Sequence, residues 1–594
     1  MLNLKPLTII MPVLILVLAL VVACGSAAEP QESAAKPEAS AKQQAATPVA
    51  KPAAAAEPAT TVKHDRLVVL TESFGNEVWD IKYESGDKHI WHHVLHSRLL
   101  ASNAELEYVP DDLATKWEVT DGGNGLEFTI REGHTFHNGD PLTVDDATFS
   151  NQYIIDENSR SVVRVRLWRV IEKHAHKTGP NTFKVLFKQP TLNYFYDMSE
   201  TGGGNGGAVI SKKYFESLGA DAQARSDGFS ADPNPGSSGP FNLVKFTPAD
   251  EILYEKIPDH YILAKRDYPF DELQIRLVQE LSTRVAALRA GDAHIIPADL
   301  EVEDQIEQAN ARIIYGPEST VIWINAWNCS KDAPQTGGKD LQGRELNCSD
   351  KRVRHALDYA IDKKAIQDLL GGPGIFEIKG TAGVSPSGVG YVADGTMDPF
   401  PYDPDKAQAL FQEAGYKVPG SDTGIEPNYG EPWQVWTWPG GATVPKMIEM
   451  VQLVCDDWNR VLGLDCNVNV GEEASIKDKQ YGGEIPGQYL VRSNEHSYDI
   501  GSKYRGRYGD PEGSYISFDP LMEPLVLKML AQTDEAARLE AYATAHRQAH
   551  AEGHWDFAPG YLNAPYGVTN DIAEWVPRPL RPSPSALWTI KWAN

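Results

Sequence analysis

Positive charge is scarce in this 594-residue chain: 55 lysines and arginines face 82 aspartates and glutamates, for a formal net charge of -27 at pH 7. A surface this acidic excludes long-range attraction to DNA, RNA or anionic lipid. Cysteine is scarcer, five in all, and no two stand in a CxxC pair, which removes the zinc knuckle. The GxSxG elbow and the HExxH pair of hydrolases are missing. "TGGGNGG" (201–207) lacks the Lys-Ser/Thr pair that a phosphate loop needs and reads as a flexible loop. A glycosidase pair among so many carboxylates stays open, because nothing in the sequence selects one.

What is present is an ordinary globular composition, 42% hydrophobic and 23% charged, with 14 Trp and 24 Tyr. The length exceeds the roughly 250–300 residues at which one core stops growing, so at least two lobes are expected. At the N-terminus, Lys5 precedes an apolar run from Leu7 to Leu20 and then "VVAC", ending at Cys24. This resembles the lipobox of bacterial lipoproteins, which implies lipidation of Cys24. A plain transmembrane anchor is the alternative, but the run is short and Pro12 interrupts it. Residues 25–61 are mostly Ala, Pro, Glu, Lys, Gln and Ser without an aromatic, the composition of a disordered tether. Four cysteines remain and allow three pairings. The local one, Cys329 with Cys348 and Cys455 with Cys466, closes two modest loops in an oxidising compartment and is preferred.

Strand periodicity appears in "RLVVLTES" (66–73), "LEFTIREG" (126–133), "TFKVLFKQ" (182–189) and "DELQIRLVQ" (271–279). A helix is predicted from a Ser349 cap to Gly371, another over "DPDKAQALFQEAGY", and a third ending at Gly463. Interspersed strands and helices predict an α/β chain.

"PDDLATKWEVTDGGNGLEFTIREGHTFHNGDPLTVDDATFS" (110–150) resembles the signature region of the family 5 extracellular solute-binding proteins of ABC transporters. The similarity continues in order through 237–261, 270–295, 353–366, 402–416 and "YGDPEGSY" (508–515). The resemblance implies a two-lobed periplasmic-binding-protein fold with a ligand cleft between the lobes. Lobe I would comprise 62–104, 239–322 and 560–594, with a subdomain inserted at 105–238, and lobe II would comprise 323–559. It also implies a non-enzymatic, monomeric, extracytoplasmic protein that needs no cofactor and hands its ligand to membrane permease subunits.

Several clusters invite chemistry. In "HTFHNGDPLTVDD", Asn138 and Gly139 suit a tight turn and Thr143 a helix cap, with Asp145 and Asp146 in the first helical turn. His89, His92, His93 and His96, and also His546, His550 and His554, have the spacing of a helix face. That spacing suits a transition metal, although surface histidines on helices mostly bind nothing. Alternation places Trp436 and Trp438 on one strand face, as core or as a wall of the cleft.

The last cluster is "SKYRGRYGDP" (502–511). Peptide binders of the family carry an Asp three residues before the Asp of this DP motif, where it meets the ligand's ammonium group. Here that position is Arg507, an inversion of charge. The expectation is a small solute with an anionic group held by Arg507 and Arg505, with Tyr504 and Tyr508 as an aromatic wall. The alternative is that Arg507 pairs with a neighbouring acid such as Glu495 or Asp499. A peptide binder, a metal-capturing protein and a secreted hydrolase are the competing functions.

Overall fold

The computed structural model describes residues 65–593 apart from 84–88, 104–105, 203–204, 334–335, 381–382, 440–443, 482, 496–497, 510–513, 515 and 580–583. The signal segment, Cys24, the 25–61 tether and Asp510 therefore lie outside the described residues. No helix among the described residues is long and apolar enough to cross a membrane.

The largest sheet runs in the order Cys466–Val470, Trp433–Thr437, Tyr489–Glu495, Ala311–Ala326, Tyr561–Thr569, Ile295–Pro297, Arg66–Thr71, Glu272–Leu277, Glu251–Lys256 and Phe241–Thr247. Near its middle is the antiparallel ladder between Ala311–Ala326 and Tyr561–Thr569, the fourth and fifth strands of this order. Each of these strands passes from one hydrophobic core to another. Ile314, Tyr566 and Val568 pack with Leu67, Trp91 and Phe241, whereas Ile322, Ile324 and Leu562 pack with helices of the 351–462 region. The register shifts between Gly316 and Thr320, at the passage itself. Glu318 takes φ +53° there, and its N–H donates to Asn563 Oδ1 at 2.7 Å. A third core, from Leu99 to Val209, surrounds an antiparallel sheet of Ala114–Thr120, Gly125–Ile130, Thr182–Phe187 and Ile171–Lys177.

All four predicted strands form, as Arg66–Thr71, Gly125–Ile130, Thr182–Phe187 and Glu272–Leu277. The "HNGDP" turn places Gly139 at φ +84°, where a glycine avoids the steric cost. Thr143 begins helix Val144–Ile155, and the Asp146 carboxylate accepts from the Thr143 N–H at 2.9 Å and hydroxyl at 2.7 Å. Helix Met447–Leu462 ends at Gly463 in the left-handed region. The disulfides are Cys329 with Cys348 and Cys455 with Cys466.

Three local expectations are corrected. The helix expected from Ser349 to Gly371 is two, Lys351–Tyr359 and Lys363–Leu369. Asp350 caps the first; Asp362 interrupts the run because its carboxylate accepts from the N–H groups of Lys364 and Ala365. The histidine helix near residue 90 is only His89–His92, because Gly239 and Phe241 draw the carbonyls of Leu95 and Val94 into other hydrogen bonds. At its described residues "TGGGNGG" is packed rather than loose: a Cβ on Gly206 would lie 2.0 Å from the Asp197 carbonyl oxygen, so glycine here permits close backbone packing.

Candidate functional site

Residues 501–509 form one helical turn, Gly501–Tyr504, continued by a wider π turn, Arg505–Gly509. Tyr504, Arg507 and Tyr508 are all buried. The Arg507 guanidinium donates through Nη1 to Asp556 Oδ2 at 2.5 Å and lies 3.4 Å from the centre of the Trp323 ring. The Tyr508 hydroxyl donates to the other carboxylate oxygen, and Asn325 Nδ2 lies 3.4 Å from Oδ2. The side chains of Arg507 and Asp556 are 1% and 0% exposed, so neither charge is tolerable without the other. Burial pushes the Asp556 carboxyl up, against Arg507, the Tyr508 hydroxyl and Arg492, which pull it down.

Arg507 thus pairs with an acid, as one of the two sequence readings has it, but the acid is Asp556 rather than Asp499. Asp499 instead accepts from the Tyr542 hydroxyl at 2.5 Å, with Arg538 at 3.7 Å. Asp556, Trp323 and Asn325 carry no sequence signal: they come from two strands far along the chain that the sheet brings together. Arg505 contrasts with Arg507. It is half-buried and makes no hydrogen bond or ion pair among the described residues.

Behind the turn, the Tyr504 hydroxyl lies 2.9 Å from His546 Nδ1, and His546 Nε2 lies 2.8 Å from the Val389 carbonyl oxygen. Burial lowers the His546 pKa to about 4, so the ring is neutral at pH 7; Nε2–H donates to the carbonyl and Nδ1 accepts from tyrosine. His550 is lowered to about 3 for the same reason. His554 lies outside the helix at φ +48°, with Nε2 3.2 Å from Asp358 Oδ2. In the other set, the His92 ring stacks on Trp79 at 5.2 Å and the His96 ring on Phe229 at 6.3 Å. Among the described residues no three His, Cys, Asp or Glu side chains are placed to hold a metal ion. Trp436 and Trp438 pack with Ile476 and Leu490 near the far edge of the large sheet, and Trp436 Nε1 donates to Gln488 Oε1 at 2.5 Å.

A cavity of about 260 Å³ adjoins the central ladder, lined by Glu72, Arg284, Thr320, Leu370, Lys446 and Tyr566 among others.

Residues 107–520 match the model of the bacterial extracellular solute-binding proteins, family 5. The chain is 25% identical over 498 residues to heme-binding protein A of Haemophilus influenzae, covering 77% of this chain and 82% of that protein. It is 24% identical over 451 residues to the dipeptide-binding protein of Escherichia coli, covering 71% and 72%. The fold superposes on the ABC transporter substrate binding protein CtaP of Listeria monocytogenes with a TM-score of 0.69 at 16% identity, covering 89% of this chain and 99% of that one. The chain belongs to the bacterial extracellular solute-binding proteins, family 5, the non-enzymatic substrate-binding proteins of ABC importers.

Proposed function

We propose that this protein captures a small solute bearing a carboxylate or other anionic group and delivers it to a membrane permease from a lipid anchor at Cys24. The observation that carries the anionic preference is the division of labour within one turn. Arg507 is neutralised by Asp556 and locked on Trp323, so it positions the turn; Arg505, two residues earlier, keeps an uncompensated guanidinium. A fixed guanidinium in a partly dry setting favours carboxylate or phosphate and opposes an ammonium group. Tyr504 and Tyr508 brace the turn, and Trp436 and Trp438 are assigned to packing. The two lobes are the cores on either side of the crossing ladder, the inserted subdomain is the third core, and the shift between Gly316 and Thr320 is the hinge.

A second reading, a peptide binder, is favoured by the similarity to the dipeptide-binding protein. Titration calorimetry of the full chain with organic acids, phosphorylated acids, neutral sugars and short peptides separates the two. The anionic reading expects binding of acids that Arg505→Gln weakens about tenfold or more, the worth of one charge-assisted hydrogen bond. Peptide binding that is indifferent to Arg505→Gln supports the second.

A further inference from the structure

Away from the crossing ladder, three imidazoles gather around one phenyl ring. Phe400 is half-buried, and the His554 and Tyr359 rings stack on it at 4.8 and 4.6 Å, within 6° and 16° of parallel. The His550 and His355 rings lie 4.8 and 5.0 Å from it. His550 Nδ1 and His355 Nε2 are buried without a hydrogen-bond partner.

The charges facing these rings are mostly positive. Helix Lys351–Tyr359 contributes Lys351, Arg354 and Asp358, and the next helix contributes Lys363. Asp358 is fully buried and already matched: Lys363 Nζ lies 2.8 Å from Oδ1 and His554 Nε2 3.2 Å from Oδ2. Asp556, which faces His554, is paired with Arg507. Lys351 pairs with Glu552 at 2.6 Å, and Lys406 on helix Pro404–Glu413 donates to the Tyr359 hydroxyl at 2.7 Å. From the chain leading into Phe400 come the Asp398 backbone, which faces His550, and Asp394, 3.4 Å from Arg547. A proton on His355 or His550 therefore meets Arg354, Lys363 or the His554 ring, against a carboxylate that is already matched. Burial and these neighbours lower both pKa values to about 3, so both rings are neutral at pH 7.

Phe400 ends a segment, 385–400, that also touches the Arg507 turn and the crossing. The Val389 carbonyl accepts from His546, which holds the Tyr504 hydroxyl, and the Val389 N–H donates to the Tyr498 carbonyl at 2.8 Å. The Ser387 N–H and hydroxyl donate to the Glu318 carboxylate at 2.9 and 3.0 Å, beside the register shift.

We propose that 385–400 is an acid-operated latch: neutral imidazoles hold Phe400, and protonation of His355 and His550 expels it, freeing Val389 from the turn and Ser387 from Glu318. The sign follows from the lowered values: the latched state is favoured above pH 6.5 and loses that preference as pH falls toward 3. Its effect on solute release rests on the ligand role proposed for Arg505; the latch itself does not.

Amide hydrogen exchange of the full chain without ligand, at pH 7 and pH 5 and corrected for intrinsic rates, tests it. Each imidazole that leaves burial favours opening by up to roughly 25-fold over this interval. The hydrogen-bonded amides of Ser387, Val389 and Asp403 should gain at least about tenfold in exchange relative to helix Met447–Leu462. In the double variant His355→Phe with His550→Phe, which keeps aromatic rings that cannot be protonated, that gain should shrink at least about fivefold. Should the double variant not fold, His355→Phe alone, at the half-buried position, should shrink it at least about twofold. Because no ligand is added, failure here is separable from failure of the proposed function. Equal gains in the segment and the helix of the wild-type chain, or an undiminished gain in a folded variant, overturn the inference.

Discussion

The two faces of the crossing ladder solve opposite problems with neighbouring residues. On the Trp323 face a cation is fully buried, and Asp556, Tyr508 and Asn325 converge to make that tolerable. On the Thr320 face the hydroxyls are buried, partners are missing, and space is left. A buried charge must be matched at once or it costs several kcal/mol, whereas a buried hydroxyl costs less and can wait for a guest. The first face is therefore built for rigidity and the second has room for a ligand.

The largest effect expected is on the rigid face. Asp556→Ala removes the buried carboxylate that meets the Arg507 guanidinium and should lose about 3–5 kcal/mol in urea unfolding. Replacing Arg507 and Asp556 together with Met and Leu should recover most of it. A loss below about 1 kcal/mol for Asp556→Ala would break the contrast. Next is acid. His546 has a folded pKa of about 4, below its ordinary 6.5, so its contribution is present above pH 6.5 and lost as pH falls toward 4. The slope is at most about 1.4 kcal/mol per pH unit for this one group. His96, His260, His355 and His550, each lowered to about 3, act with the same sign. His546→Gln should reduce the proton uptake on unfolding by about 0.8 between pH 6 and 4.5, measured from the pH dependence of urea midpoints. Arg505→Gln should change stability by less than about 0.5 kcal/mol, as for other surface substitutions, so a larger change would reveal a structural role. The smallest effect belongs to the other face: Thr320→Val removes a hydroxyl that has no partner and should be neutral or slightly stabilising by the same unfolding measurement.

Much of this architecture is legible in the sequence where local chemistry governs it. Alternation marks the strands, Gly463 stops its helix, and "HNGDP" with Thr143 specifies a turn and a cap. What is not legible is decided at long range. Asp556 becomes the partner of Arg507 only through the sheet; its surroundings, "HWDFAPGY", have no feature that selects it. Asp362 splits a continuous apolar pattern because its carboxylate competes for backbone N–H groups, an outcome that periodicity does not register. The His89–His96 spacing suggests a helical face, yet hydrogen bonds from Gly239 and Phe241, far along the chain, end the helix after one turn.

The central claim, a solute-binding protein that prefers an anionic ligand through Arg505, is tested most directly by a thermal-shift comparison of wild type and Arg505→Gln. The panel contains organic acids, phosphorylated acids, neutral sugars and short peptides. Ligand at about 100 times its dissociation constant adds roughly 2.7 kcal/mol, a readily detected rise in midpoint. The account predicts a shift with an acid in the wild-type chain that is lost or much reduced in Arg505→Gln. A shift with neutral peptides alone, unchanged by the substitution, would contradict it.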